Sequence, residues 1–374
     1  MLNITRSKNS LSSFPCTHHS RISHPFLFLL LLIYSTILSA EGFKSNPSRF
    51  TLWQTNAGGN DVHIYDIKSH QLIKRLDVGP QPHGIAYASE AKQVLITLEK
   101  KREPNGELIW VNPHNFEISH RLTICRKPQA LAVTPDGKWI YIPCRDGHYW
   151  VIDGIQRKLV KKIHTGGLPH NTIISPDGHF AYLSPMGSPR EVSIIDIKAN
   201  HQLIGTLPFS NSLRPSALSA DGHYFFQHVD SLNGFEVADI PSKTFKKRVH
   251  HENDLGIYTA IGPLGWLKVK GLNKIGFQRC HGLAIRPDQR EVWSTCGRNL
   301  NIHRLSPPFM QTHTLHLPGA GYWLTFSPDS KLAFIALKDK QSVVVMDTTL
   351  KKIAWHYKAG EKPKRNIIVP SETL

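Results

Sequence analysis

From about residue 50 onward, short apolar runs alternate with polar turns, and helical periodicity is nearly absent. The runs return in a fixed order: an apolar strand, a Pro-Asp-Gly-type turn, a second strand, and a third strand that usually ends in Asp. The clearest turns are Pro135-Asp136-Gly137, Pro176-Asp177-Gly178, Ala220-Asp221-Gly222, Pro287-Asp288-Gln289 and Pro328-Asp329-Ser330. A degenerate copy stands at Ser89-Glu90-Ala91. Successive Asp spacings from Asp136 are 41, 44, 67 and 41 residues.

The third strand supplies an independent count. Its copies end at Asp66, Asn112, Asp153, Asp196, Asp239, Arg304 and Asp347, seven in all, spaced 46, 41, 43, 43, 65 and 43 residues apart. The two counts share one enlarged interval. A period near 43 with several short strands per unit predicts four-stranded blades around an axis. The turn residues suit this locally: Pro presets φ, Asp bonds the backbone that follows, and Gly accepts a positive φ.

The ends fit a closed ring. Residues 50–55 read as a second strand with no first strand before it, and residues 365–369 read as a first strand with nothing after it. Pairing them completes one blade and removes a free sheet edge. The expected fold class is therefore all-β, a seven-bladed β-propeller whose first blade is closed by the C-terminal strand.

The units resemble the YVTN-type propeller repeat, most closely from Lys127-Pro128 through Asp153 and from Gly167-Leu168-Pro169-His170 through Asp196. The resemblance covers about residues 50–370. It implies the propeller fold and a role like those of cell-envelope and surface-layer proteins. More distant similarity runs to propeller lactonases and to the haem-binding domain of cytochrome nitrite reductases. Toward the lactonases, Pro169-His170 with its SPDG turn is followed by Gly187 and Glu191, but the remaining catalytic positions find no match. No GxSxG elbow, HExxH or Walker loop occurs. The repeat fixes fold far better than function.

The N-terminal segment adds a destination. Arg6, Lys8 and Arg21 precede an apolar stretch from Pro25 to Leu38, and Ser39 and Ala40 follow. A basic head, an apolar core and a small-residue end predict a signal peptide over residues 1–40, cleaved after Ala40. The stretch is shorter than the roughly 20 residues that span a bilayer as a helix. A short linker (41–49) and the propeller (50–374) follow, with an inter-blade insertion around 241–275. The expected location is periplasmic or secreted, with membrane contact only through an uncleaved signal.

Charge narrows the partners. The formal net charge is +17, of which only three positive charges lie in the first 40 residues. A surface this basic favours an anionic small molecule or an acidic envelope protein. Its Lys and Arg are scattered and no nucleic-acid motif is present, which disfavours nucleic acid. A monomer is expected. The insertion, with Lys243, Lys246, Lys247, Arg248, His250 and His251, reads as a solvated inter-blade loop or a docking loop.

Cysteine spacing contains no CxxC or CxxCH, so neither a zinc knot nor covalently attached haem is indicated. A tight hairpin at Asp288 sets Cys280 nearly opposite Cys296, a register that permits a disulfide. Cys125 and Cys144 match their hairpin less well, and the competing reading is four buried thiols.

Radial symmetry identifies the candidate site. Counting back seven residues from each turn Asp or its equivalent reaches His83, Gln129, His170, Arg214, His281 and Tyr322, with Lys364 completing the set. Equivalent positions in a radial fold share one ring at the central channel. Such a ring could bond neighbouring blades, bind a carboxylate or phosphate through Arg214 and Lys364, or offer imidazole to a metal or haem. The expected function is an exported binding or scaffolding module without catalysis of its own. The alternative is a lactonase-like enzyme or a haem- or metal-handling propeller that uses the channel; the cofactor is unspecified.

Overall fold

The computed structural model describes residues 49–252 and 280–371. The expected signal peptide, nearly all of the linker and the larger part of the insertion lie outside the described residues. Among those described, no helix is long and apolar enough to cross a membrane.

The described residues hold twenty-eight strands, numbered β1–β28 in chain order, which form seven four-stranded antiparallel sheets. Blade 1 is ordered β28-β1-β2-β3, so β28 (Pro363–Ser371) lies beside β1 (Arg49–Asn56). Leu52 faces Ile368 and Trp53 faces Ile367 across that pair. The other six blades take four consecutive strands each, β4–β7 through β24–β27. The sequence-read third strands correspond to the third position in every sheet.

Packing explains why the strands read as nearly continuous apolar runs. The seven apolar clusters each join two neighbouring blades, closing a circle of interfaces. In β5 (Gln93–Leu98), Val94, Ile96 and Leu98 pack toward blade 1 while Leu95 packs toward blade 3. Alternate residues thus serve alternate neighbours, and both faces are buried. Trp53, Trp110 and Trp293 are fully buried in these interfaces. The outermost strands are exposed and charged, as in β11 (Lys158–Ile163), which discourages pairing at the edge.

The turns repeat one device. Ser175, Ser219 and Ser327 each donate a hydroxyl hydrogen bond to the Asp two residues on, at 2.5, 2.6 and 2.6 Å. Each of those Asp carboxylates in turn accepts the backbone N–H two residues further. Gly222 holds φ of +69°, and nothing lies within 4 Å of where its Cβ would sit. Gly222→Ala should therefore lower the unfolding free energy by about 1 kcal/mol through backbone strain alone. A urea titration reads this, and an unchanged midpoint would contradict it. Gln289 and Ser330 occupy the same left-handed region without glycine. Their side chains instead accept the N–H of Ala220 and Asp288 from neighbouring or equivalent turns.

Blade 5 corrects one expectation. The first residues of the enlarged interval are not loop: β19 (Thr244–His250) is the regular outer strand of that blade. His251, read from sequence as a solvated loop residue, is buried behind Phe235 and hydrogen-bonded to His303 and Ser294. The expected enlargement therefore falls after this strand.

Candidate functional site

All seven residues of the sequence-derived ring line one cavity of about 390 Å³ at the channel mouth. Six of them sit in or just before the first strand of their blade: His83 in β4 (Pro82–Ala88), Gln129 ahead of β8 (Ala132–Val133), His170 in β12 (Leu168–Ile174), Arg214 in β16 (Leu213–Leu218), His281 in β20 (Cys280–Ile285) and Tyr322 in β24 (Gly321–Phe326). Lys364 comes from β28, so the closing strand contributes to the site as well as to the ring.

A second ring completes the mouth, and the sequence reading missed it. In a hairpin the start of one strand faces the end of the next, so counting nine residues forward from each turn reaches Glu99, Arg145, Met186, Asp230, Gly297 and Lys338. Four of these, Glu99, Arg145, Met186 and Lys338, line the same cavity, together with Lys101 and Cys280. The two rings pair within blades. His83 Nδ1 lies 2.7 Å from Glu99 Oε1. The Gln129 amide, turned so that its oxygen faces Arg145, accepts from Nη2 and Nε at 2.9 and 3.1 Å. Arg214 makes a two-pronged contact with Asp230 at 2.6 and 2.8 Å.

That last pair changes the expected role of Arg214. Its charge is already met by a carboxylate, so it stiffens the wall instead of waiting for a ligand. His170, at the register shift between Pro169 and Asn171, keeps Nδ1 without a hydrogen-bond partner, and His83 keeps Nε2 without one. His281 points Nδ1 at the Tyr322 carbonyl at 2.8 Å and stacks on the Tyr322 ring at 3.8 Å. The Lys364 ammonium stands 5.1 Å from the centre of that ring.

One residue below the first ring, Arg365 is buried at 7% exposure. Its guanidinium stacks 3.7 Å over Trp323, and Nη2 donates to Asn171 Oδ1 at 2.7 Å. Arg365 belongs to blade 1 and Asn171 to blade 4, which are not neighbours, so this bond crosses the axis. No carboxylate pairs with Arg365 among the described residues, and its Nε has no partner.

Burial and the surrounding cations set the charge states. Burial, then Lys364, push the His83 imidazolium down to about 4, against the opposing pull of Glu99. Burial first, then Arg365 and Arg214, hold His170 well below the usual histidine range. Burial and His170 do the same to His281. Burial would raise Glu99, but its bond to His83 and the nearby Lys364 and Lys101 outweigh it and keep the carboxylate ionised. Burial lowers Arg365 to about 10, so it stays charged at neutral pH. With Arg214 met by Asp230, the lining still presents Lys101, Arg145, Lys338 and Lys364 alongside the single lining carboxylate of Glu99.

Beside the channel mouth lies a second cavity of about 350 Å³, lined by Glu99, Lys101, Arg126, Lys127, Gln129 and Arg145. Two disulfides border these spaces. Cys280–Cys296 joins directly facing residues, with Cα atoms 3.9 Å apart. Cys125–Cys144, the poorer match by hairpin counting, is also joined, at a Cα separation of 5.8 Å. Counting misjudged it because the first strand of blade 3 is only Ala132–Val133, and the irregular segment before it brings Cys125 back to β9 (Trp139–Pro143).

Other chemistry read from sequence does not converge here. Glu191 starts β14 (Glu191–Asp196) opposite Pro208 and is not among the cavity's lining residues. The one trio of His, Cys or acidic side chains close enough to chelate, among the described residues, is His228 with Cys280 and Cys296, whose sulfurs form the disulfide.

No protein-family profile matches the chain. Among curated proteins, a stretch of 164 residues is 21% identical to Antigen Lp49 of Leptospira interrogans, covering 40% of this chain and 35% of that protein. The chain therefore spans about a third of that relative. Among solved structures, the periplasmic gluconolactonase PpgL of Pseudomonas aeruginosa superposes with a TM-score of 0.66 at 15% identity, over 86% of this chain and 99% of that one. The dihydro-heme d1 dehydrogenase NirN, solved in complex with DHE, superposes with a TM-score of 0.60 at 13% identity, over 85% and 74%. At these identities the likeness is one of fold.

Proposed function

We propose that this propeller is an exported binding module that holds a small carboxylate- or phosphate-bearing molecule at its channel mouth. The observation that carries the reading is Arg365: a buried guanidinium with no carboxylate partner among the described residues, beneath a mouth where cations outnumber carboxylates. An uncompensated buried charge costs several kcal/mol. An anion entering the mouth would relieve that cost, with the unsatisfied Nδ1 of His170 free to donate beside it; His83 gives its proton to Glu99 through Nδ1, so its open Nε2 can only accept, as from a ligand hydroxyl. Proteins of similar fold are named as a gluconolactonase and as a dihydro-heme d1 dehydrogenase, which is compatible with a ligand-holding channel and selects no chemistry. The N-terminal pattern supports export.

The test is calorimetric titration of citrate and of inorganic pyrophosphate into wild type, Arg365→Gln, Lys364→Gln and a Lys161→Gln/Lys162→Gln surface control. Loss of a charge-assisted hydrogen bond should weaken binding roughly tenfold or more in the Lys364 variant, and loss of the buried charge beneath the cavity, which Arg365 does not itself line, should weaken it in the same direction. The surface control should change little, and mainly at low salt. Melting curves confirm that each variant is folded. Channel variants that bind both anions as wild type does would refute the reading.

A further inference from the structure

The second cavity is not an independent hollow. Four of its six lining residues, Glu99, Lys101, Gln129 and Arg145, also line the channel mouth. What it adds is Arg126 and Lys127, two further cations, set beyond the Gln129–Arg145 wall. The two spaces therefore adjoin as a divided recess, with positive charge on either side of a shared polar waist.

The outer end is built, not incidental. Cys125 precedes Arg126 and Cys144 precedes Arg145, so the Cys125–Cys144 disulfide ties the two basic residues at their roots. The Arg145 N–H donates to the Arg126 carbonyl at 2.9 Å, and the Gln129 N–H donates to the Pro143 carbonyl at 3.1 Å. Lys127 is held at a positive φ of +46°, as Gln81 and Lys362 are at the equivalent place two residues before the first ring, so this backbone belongs to the repeat. At the waist, Glu99 is the single carboxylate, with Oε1 toward His83 and Oε2 3.0 Å from Lys101 Nζ. A carboxylate keeps further acceptor capacity after two such contacts, so it favours a hydroxyl on whatever crosses it.

We infer that the recess takes an elongated, hydroxylated ligand with an anionic group at each end, of the sugar bisphosphate or aldarate class. One anion would lie over the channel toward Lys364 and Arg365, and the other between Arg126, Lys127 and Arg145. The inference rests on the channel-mouth reading above and extends it to a second anchoring point. Two linked anchors make the second contact intramolecular, so a two-ended ligand gains over either half alone.

The experiment compares matched probes: fructose 1,6-bisphosphate against fructose 6-phosphate, and glucarate against gluconate. Wild type should bind at least one two-ended probe tenfold or more tighter than its one-ended partner; which pair shows the gap distinguishes phosphate from carboxylate. Arg126→Gln combined with Lys127→Asn should abolish that gap while leaving the one-ended probe within about twofold. Arg126 is exposed and Asn tolerates the Lys127 backbone, so this variant should fold. Arg365→Gln should weaken both probes of the pair. If the double variant keeps the gap while Arg365→Gln still weakens binding, the second anchor is refuted and the channel reading stands. If Arg365→Gln changes nothing, the channel reading falls too. Equal binding of both members in both pairs, or no binding of any probe at millimolar concentration, overturns the two-ended ligand.

Discussion

A chain ending before Pro363 should fail to yield a soluble monomer. The deletion removes β28, which pairs with β1 along most of its length, and it withdraws Val369 from the cluster between blades 1 and 2. It also strips Ile367 and Ile368 from their packing on that blade. Val369, fully buried, contributes about 1.5–3 kcal/mol, and the partly buried Ile367 and Ile368 add smaller amounts. With the ladder hydrogen bonds to β1 also lost, the deletion removes a large share of the 5–15 kcal/mol typical of a whole domain. The loss also leaves β1 as an unpaired edge lined by apolar residues, a template for intermolecular pairing. The expected readouts are an insoluble fraction after expression and no monomer peak on size exclusion. A soluble, monomeric, β-rich truncated protein would show that blade 1 stands without its closing strand.

Mild acid should unfold the intact protein. His83, His170, His201, His228, His251 and His303 are all buried and all held below the ordinary histidine range, burial being the first cause in each. Four of the six are pushed down to between about 3 and about 4. The folded protein therefore keeps these rings neutral at a pH where the unfolded chain, with histidines near 6.5, binds protons. Because the unfolded state binds more, stability is full above about pH 6.5 and falls as pH drops through 6 and 5. Each group costs about 1.4 kcal/mol one unit below its unfolded pKa, and six together reach on the order of 8 kcal/mol.

One hydrogen-bond chain makes the penalty concrete. The Phe309 carbonyl can only accept, so His303 must donate Nδ1–H to it at 2.9 Å. His303 Nε2 then accepts from His251 Nδ1, Ser294 donates to His251 Nε2, and His228 donates to Ser294. Every ring is neutral in this order, and an added proton at any internal acceptor breaks a link. Urea unfolding at pH 7.5, 6.5 and 5.5 should show a midpoint that collapses over the last unit. Equal midpoints at all three would overturn the account.

The propeller was legible because its rule is local and repeated. A turn that needs Pro, Asp and Gly within three residues leaves a mark that five clear copies and a degenerate one reinforce, and the unpaired strands at 50–55 and 365–369 encode closure. The first ring was legible for the same reason, since radial equivalence follows from counting. The second ring obeys the same arithmetic on the other side of the turn, but its members, Glu99, Arg145, Met186, Asp230, Gly297 and Lys338, share no chemistry that would draw the eye. Arg365 was hidden more deeply. Nothing in Lys364-Arg365-Asn366 says that the guanidinium reaches Asn171, because that bond depends on how seven blades close and not on any local pattern. The His228–Ser294–His251–His303 chain joins two blades through residues up to 75 positions apart, and only the fold assembles it.

The bond from Arg365 to Asn171 lays a strut across the channel. A guest that enters at the mouth and is too wide to pass that strut has to leave by the way it came. Arrival and departure share one doorway, so an object resting on the rim would slow both by the same factor and leave the equilibrium affinity unchanged. Residence time is then set at the rim, by the loops and whatever docks on them, while selectivity is set deeper, by Arg365 and the two rings above it. These two properties can be altered independently in this chain, since they rest on different residues.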